Sequence, residues 1–433
     1  MTARARPSRE GPAGATIELA TLGTGLVLVM VLLARLPSWR AELATFQALL
    51  GAALWLVARG RHAPAGLLAV LSVALAARLA LLPTSPSLSD DIYRYIWEGR
   101  VVALGFDPYR LEPLADALRP LRDARLFPRI NHPQLASIYP PLALAGFALV
   151  ERISATVWAM KLWILLHEMG LVVALLLWGV RSEAGLAAAI AYAWNPLVLV
   201  EFAGSGHDDP TAMMWLVLAL IWAERRPLAS ALALSAGALT KLAPLAALPF
   251  LMRSWPWRAR LLALGLLGLG LGWYWAETRS APSGLLAYWR TWRNNELVFD
   301  GLAAAVGPSV ARWVAVALVA AVAAVTLALR ASAAPATWAT LRTGLLVSPV
   351  AHPWYFAWAV LTGPRVRLSF APWALLSLTC VLSYGLFAPP TAGSSFHLPL
   401  PWRGLEYGVP AGLAIALAVA RGAKRDSAGA HRV

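Results

Sequence analysis

Two aspartates side by side, Asp90 and Asp91, directly follow a hydrophobic run in the segment from Pro86 to Tyr109, PSLSDDIYRYIWEGRVVALGFDPY. Carboxylates at the end of an apolar span sit where membrane meets water, where charge is tolerated and is commonly functional. The stretch from Ser89 to Arg100 reads as a short helix capped by Ser89 or Asp90, with its acids at the positive end. A cap needs one carboxylate only. The second is free to take a proton from a hydroxyl, so Asp91 is the candidate general base, with Asp90 positioning it or the acceptor.

Other polar groups interrupt apolar sequence further along. His207, Asp208 and Asp209 lie in GSGHDDP, where the glycines admit another backbone and Pro210 starts a helix. A His beside two Asp orients a hydroxyl or holds a divalent ion, but the ligand spacing matches no specific metal pattern. Lys241 is flanked by Ala238, Leu239, Leu242 and Ala243. Its ammonium either snorkels to the interface or meets an anion, and its place between two half-length apolar stretches favours a phosphate. Arg94 and Arg100 are candidates to share that phosphate, since a guanidinium binds its oxygens in pairs.

His352 and Tyr355, in HPWY, break another apolar run. The histidine there either satisfies freed carbonyls or contacts substrate. Tyr139, in SIYPPL, anchors at the interface or donates to a phosphate at the bilayer surface. His167 and Glu168 fall nearer the middle of a span, where an unpaired charge costs several kcal/mol on most estimates, so an internal partner is expected.

The elements that must carry these groups are membrane helices. Of the 433 residues 59% are hydrophobic and 14% charged, against roughly 25% charged in soluble domains. Mean hydropathy is +0.62. The net charge of +15 is spread over short loops rather than gathered on one face, which speaks for topology control and against nucleic acid. The single cysteine, Cys380, lies in an apolar run and reads as a core residue.

Placing basic loops inside gives spans near 17–35, 41–58, 64–82, 158–180, 185–203, 210–224, 228–240, 243–252, 260–276, 309–330, 338–351, 354–364, 368–388 and 404–421. The fold expected is an all-α polytopic bundle of about 12–14 transmembrane helices. Residues 1–16 form a cytoplasmic tail, 17–421 a single catalytic unit, and 422–433 a polar, structureless cytoplasmic tail. The first span is read as a retained anchor, because no small-x-small cleavage site follows it. The large outer loops are 83–157 and 277–308. The first contains a juxtamembrane helix from Tyr139 to Val150 with prolines at its start, and the second an amphipathic helix around Tyr288 to Glu296. On this path Asp90/Asp91, His207–Asp209, Lys241 and His352 share the outer face.

Taken in order, DDIYRYIWEGR, GFDPY, IYPPLA, GHDD, TKLAPLAALPF and HPWY resemble the GT-C type of polytopic glycosyltransferase, in particular bacterial mannosyltransferases that use polyprenyl-phosphate sugars. The resemblance covers roughly residues 60 to 365. It implies a GT-C-like bundle in the bacterial inner membrane with its active site facing the periplasm or cell exterior. It also implies an inverting transfer from a polyprenyl-phosphate sugar, most simply mannose, to a glycan or lipid-linked acceptor. Asp91 stands where the family's base stands, and Lys241 or Arg100 stabilises the departing phosphate. No cofactor is required for that chemistry, and a divalent cation is the lesser alternative. The family more often has Asn at the places of Asp107 and Asp208, which leaves the acceptor open. Membrane lipids are the remaining partners. A transporter or flippase of lipid-linked saccharides is the competing function, kept alive by His167 and Glu168. A non-catalytic assembly protein is the other.

Overall fold

A computed structural model describes residues 23–28, 67–86, 88–180, 182–279, 283–361, 371–384 and 395–430. The expected span 41–58 and most of 17–35 lie outside these residues, as do the tails 1–16 and 431–433. The protein is an all-α polytopic membrane protein. Its helices in chain order are α1 Leu67–Leu81, α2 Asp91–Ala103, α3 Pro141–Ile153, α4 Val157–Gly179, α5 Glu183–Ala193, α6 Asp209–Trp222, α7 Pro227–Thr240, α8 Leu248–Ser254, α9 Trp257–Thr278, α10 Gly284–Thr291, α11 Val298–Val306, α12 Pro308–Ala328, α13 Ala333–Val347, α14 Phe356–Val360, α15 Ala371–Thr379 and α16 Leu400–Ala430. Among the described residues α4, α9 and α12 are long and apolar enough to cross a bilayer alone, and Gly185–Ala193 with Pro196–Ser205, bent by 41°, reach that length only when taken together, as a broken span or a re-entrant segment. α1, α6 and α7 are shorter apolar helices.

Local sequence explains most boundaries. Thr156, Ser182 and Ser283 cap α4, α5 and α10 through their hydroxyls, and prolines open α3, α6, α7 and α12. The breaks expected at Lys241 and His352 are present. α7 stops at Thr240 and resumes as a 3₁₀ turn at Ala243–Ala247. α13 stops at Val347 and gives way to the 3₁₀ turn Pro353–Tyr355. The helix expected from Tyr139 is α3, 13 residues long and too short to span by itself.

Two expectations fail. The helix around Tyr288 to Glu296 ends at Thr291, because β1 (Arg293–Asn294) is drawn into parallel pairing with β2 (Ser395–Phe396) and a bridge to Val350. Asn295 and Glu296 are consequently buried rather than interfacial. The polar tail from Gly422, expected to be structureless, continues α16 to Ala430. Extending an existing helix needs no new nucleus, so a preceding apolar helix can carry a polar end.

Glu168 has the partner its depth demands. Arg78 of α1 donates to its carboxylate at 2.5 Å and to the carbonyls of Ala74 and Ala193, with both side chains fully buried. His167 holds the Trp163 carbonyl at 2.9 Å. These groups tie α1 to α4 and leave no free mid-span charge at this point.

Between α5 and α6 the chain passes through Pro196–Val198 and a π-helical turn, Leu199–Ser205, that ends at Gly206 in the left-handed conformation, φ +81°. A Cβ on Gly206 would lie 2.4 Å from Cδ1 of Ile92 on α2. The glycine therefore permits both the turn and the approach of α2. Gly206→Ala should lower stability by about 1–2 kcal/mol from backbone strain alone, read as a drop in the unfolding midpoint of the detergent-solubilised protein.

Candidate active site

Asp91 opens α2, and its position is fixed from three sides. The side-chain amide of Asn131 donates to Oδ1 of Asp91 at 2.6 Å and to Oδ1 of Asp90 at 2.9 Å, bridging both carboxylates. The backbone N–H of Asp91 donates to Ser89 Oγ. On the far side Nδ1 of His207 lies 3.5 Å from Asp91 Oδ2. Burial and the adjacent Asp90 charge raise the Asp91 carboxyl to about 6, against the lowering pull of Asn131 and Lys241. A base so placed is ionised at neutral pH yet more basic than a free aspartate.

The two aspartates sit on the wall of a cavity of about 800 Å³ that also has Arg94, Tyr139, Asp208, Lys241, His352 and Tyr355 on its walls. The sequence-predicted groups thus converge, with three exceptions that do not line it: His207, Asp209 and Arg100.

Lys241 follows α7 immediately. Its Nζ lies 2.6 Å from Oδ1 of the fully buried Asp209 and 5.2 Å above the Tyr355 ring, while about a third of the side chain remains accessible. Asp209 also accepts from Trp358 Nε1 at 2.5 Å. It holds the lysine and is not itself open to substrate. Asp208, one residue earlier, turns to the cavity and accepts from Thr211 at 2.6 Å. Burial lifts it to about 7, with Asp209 adding to the rise and Thr211 and Lys241 opposing it.

The arginines expected at phosphate are committed elsewhere. Arg94 donates to Glu98 at 2.5 Å and to the carbonyls of Asn131, His132 and Leu135, which anchors the loop carrying Asn131 to α2. Arg100 pairs with Asp123 and with Glu151 at 3.0 Å, stapling α2 to α3 and to the loop between them. Both roles are structural. That leaves Lys241 as the cation with an open face among the described lining residues.

Trp354 is sandwiched between two imidazoles, His207 at 3.9 Å and His352 at 4.3 Å, nearly parallel to both. Burial, with Lys241 and His132 nearby, pushes His352 down to about 3, and burial with Lys241 and His352 likewise depresses His207, so both rings are neutral. Tyr355 and Tyr288 share a hydroxyl contact at 3.1 Å. Tyr139 packs edge-on against Tyr95 and lines the cavity beside Asp91.

Sequence reasoning missed Asn131, Tyr288, Trp358 and Glu201. Nε2 of His207 lies 3.3 Å from the buried Glu201 on the π-helical turn. Only Glu201 carried a signal, a carboxylate within the run LVLVEFAG. The three-ligand cluster found among the described residues, Glu296, Asp300 and His397, lies outside the cavity walls and is neutralised by Arg293 and Arg403.

An ionised carboxylate and an ammonium facing one cavity can deprotonate a hydroxyl and stabilise an anionic leaving group. No curated protein and no solved structure matches the chain. A family model does, over residues 13–257, which include Asp90, Asp91, Asn131, Glu201, His207, Asp208, Asp209 and Lys241. It describes the N-terminal domain of alpha-(1->6)-mannopyranosyltransferases, and the chain belongs to that family.

Proposed function

We propose that this mannosyltransferase moves mannose with inversion from a polyprenyl-phosphate donor to a glycan or lipid-linked acceptor, on the extracytoplasmic side of a bacterial inner membrane. Asp91 takes the acceptor hydroxyl proton, the freed oxygen bonds to the anomeric carbon, and the bond from that carbon to the phosphate oxygen breaks. The polyprenyl phosphate leaves as an anion beside Lys241. No metal is needed in this scheme, because the leaving group is already a stable anion and the ammonium supplies the countercharge.

The observation that carries the reading is the pairing of Asp91 and Lys241 on one largely apolar cavity within a membrane bundle. The side assignment is supported by α6 and α7. Asp209 and Lys241 meet at one end of these helices, whereas Arg225 and Arg226 form the loop at the other, roughly 20 Å away for 14 residues of helix. Basic loops stay in the cytoplasm. The transporter alternative loses its main support, since Glu168 is neutralised by Arg78.

Purified protein in vesicles, supplied with polyprenyl-phosphate mannose and a mannose-bearing acceptor, should form a product of opposite anomeric configuration, read by NMR. Transfer from a sugar nucleotide with no lipid donor present would defeat the donor assignment. The pH profile gives a second expectation. Asp91 acts only when deprotonated, so kcat/KM should rise tenfold per pH unit below about 6 and level off above it.

A further inference from the structure

Behind Asp91 lies a second carboxylate for which the proposed transfer has no use. Glu201 is fully buried, and its side-chain oxygens have no well-formed hydrogen bond among the described residues, meeting only Ser205 of the same turn and, at 3.3 Å, His207 Nε2. Nδ1 of the same ring faces Asp91 Oδ2 at 3.5 Å, and it too lacks another partner among the described residues. Catalytic hydrogen bonds are commonly this long without substrate and shorten in the reacting complex. The arrangement is built by the chain. The backbone N–H of His207 donates to the Glu201 carbonyl at 3.0 Å, closing the π-helical turn, and Trp354 holds the ring plane by stacking. π-Helical turns of this kind recur at functional positions.

We infer that Glu201 is a positioning residue for the general base, its carboxylic acid donating to Nε2 of His207 so that the imidazole proton sits on Nδ1 and points at Asp91. This inference rests on Asp91 being the base. The groups facing Glu201 are His207, Ser205 and, farther off, the carboxylates of Asp91 and Asp209. Those facing Asp91 are Asp90, Asn131, His207, Lys241 and Asp209. No cation pairs with Glu201 among the described residues, and an isolated buried carboxylate resolves its cost by staying protonated. A protonated Glu201 is a donor, which fixes the tautomer of its neutral neighbour. The alternative tautomer would aim the Nδ1 lone pair at the Asp91 carboxylate and favour protonation of Asp91, the inactive form. Glu201 thereby keeps the negative charge at the cavity wall, where the acceptor hydroxyl arrives.

The test compares Glu201→Gln with Glu201→Leu in reconstituted vesicles. The amide of the first still donates to Nε2, so its turnover should stay within a few-fold of wild type and its pH–rate inflection near 6. The second supplies no donor. Its kcat should fall about twofold at pH 7 and nearly tenfold at pH 5 with acceptor KM unchanged, because its inflection should move up by about one unit. A wild-type pH profile in Glu201→Leu, or equal loss in both variants, would overturn the inference.

A measurement independent of turnover is the infrared difference spectrum of wild type minus Glu201→Gln at neutral pH. It should contain the carbonyl stretch of a protonated carboxylic acid, and bands of an ionised carboxylate in its place would overturn the inference even if Glu201→Leu does not fold. Full activity in Asp91→Asn would instead remove the base assignment itself, so the two failures are distinguishable.

Discussion

Asp91→Asn should lower mannosyl transfer by about 10²–10⁴-fold, the usual contribution of a positioned general base. The replacement keeps the shape of the side chain and one carbonyl oxygen, which can still accept from Asn131 as Oδ1 does at 2.6 Å. Both the clamp on the loop that carries Asn131 and the packing of α2 are therefore retained. What is lost is the capacity to accept a proton, together with the negative charge that faces His207 Nδ1 at 3.5 Å. The effect should fall on kcat, with donor and acceptor KM changing little, because the proton moves only as the glycosidic bond forms. Unfolding midpoints of the two proteins should agree within a few degrees. Equal turnover in wild type and variant would remove Asp91 as the base.

Lys241→Gln should lower turnover by about 10²–10³-fold, the scale seen when a preorganised group facing developing charge is removed. The substitution separates charge from position. A glutamine amide can still donate to Asp209, which otherwise keeps Trp358 Nε1 as its side-chain partner among the described residues. The half-helix junction after Thr240 should then persist, and the missing quantity is the positive charge beside the leaving phosphate. Because that charge acts as the bond to phosphate breaks, kcat should drop more than donor KM rises. A variant with raised KM and unaltered kcat would place Lys241 in ground-state binding only. Steady-state kinetics at varied donor concentration in vesicles decides between them.

Much of this site is legible in the sequence because its signals are local. Adjacent carboxylates after an apolar run, a lysine between two half-length stretches, and a His-Pro pair inside hydrophobic sequence all mark helix boundaries: a helix starts at Asp91, one ends at Thr240, and one ends at Val347 shortly before His352. Where the outcome depends on distant chain, the reading falters. Asp208 and Asp209 are neighbours, yet one faces the cavity and the other meets Trp358, 149 residues away. Arg100 finds Asp123 and Glu151, 23 and 51 residues on, and so is spent on structure. Arg94 could have been assigned better, since Glu98 four residues later on the same helix face is a readable partner. Asn131 gave no warning, as an amide in a loop acquires its role only by landing between two aspartates 40 and 41 residues away in the chain.

The π-helical turn from Leu199 to Ser205 makes residue count itself a chemical variable. Successive side chains on an ordinary helix are offset by about 100°, so excising one residue from that turn would swing the preceding helix by that angle relative to α6. The carboxylate and the imidazole would then look in different directions although neither had been replaced. Spacing here is as much a determinant of reactivity as identity, and a one-codon deletion acts on the geometry that point substitutions leave untouched.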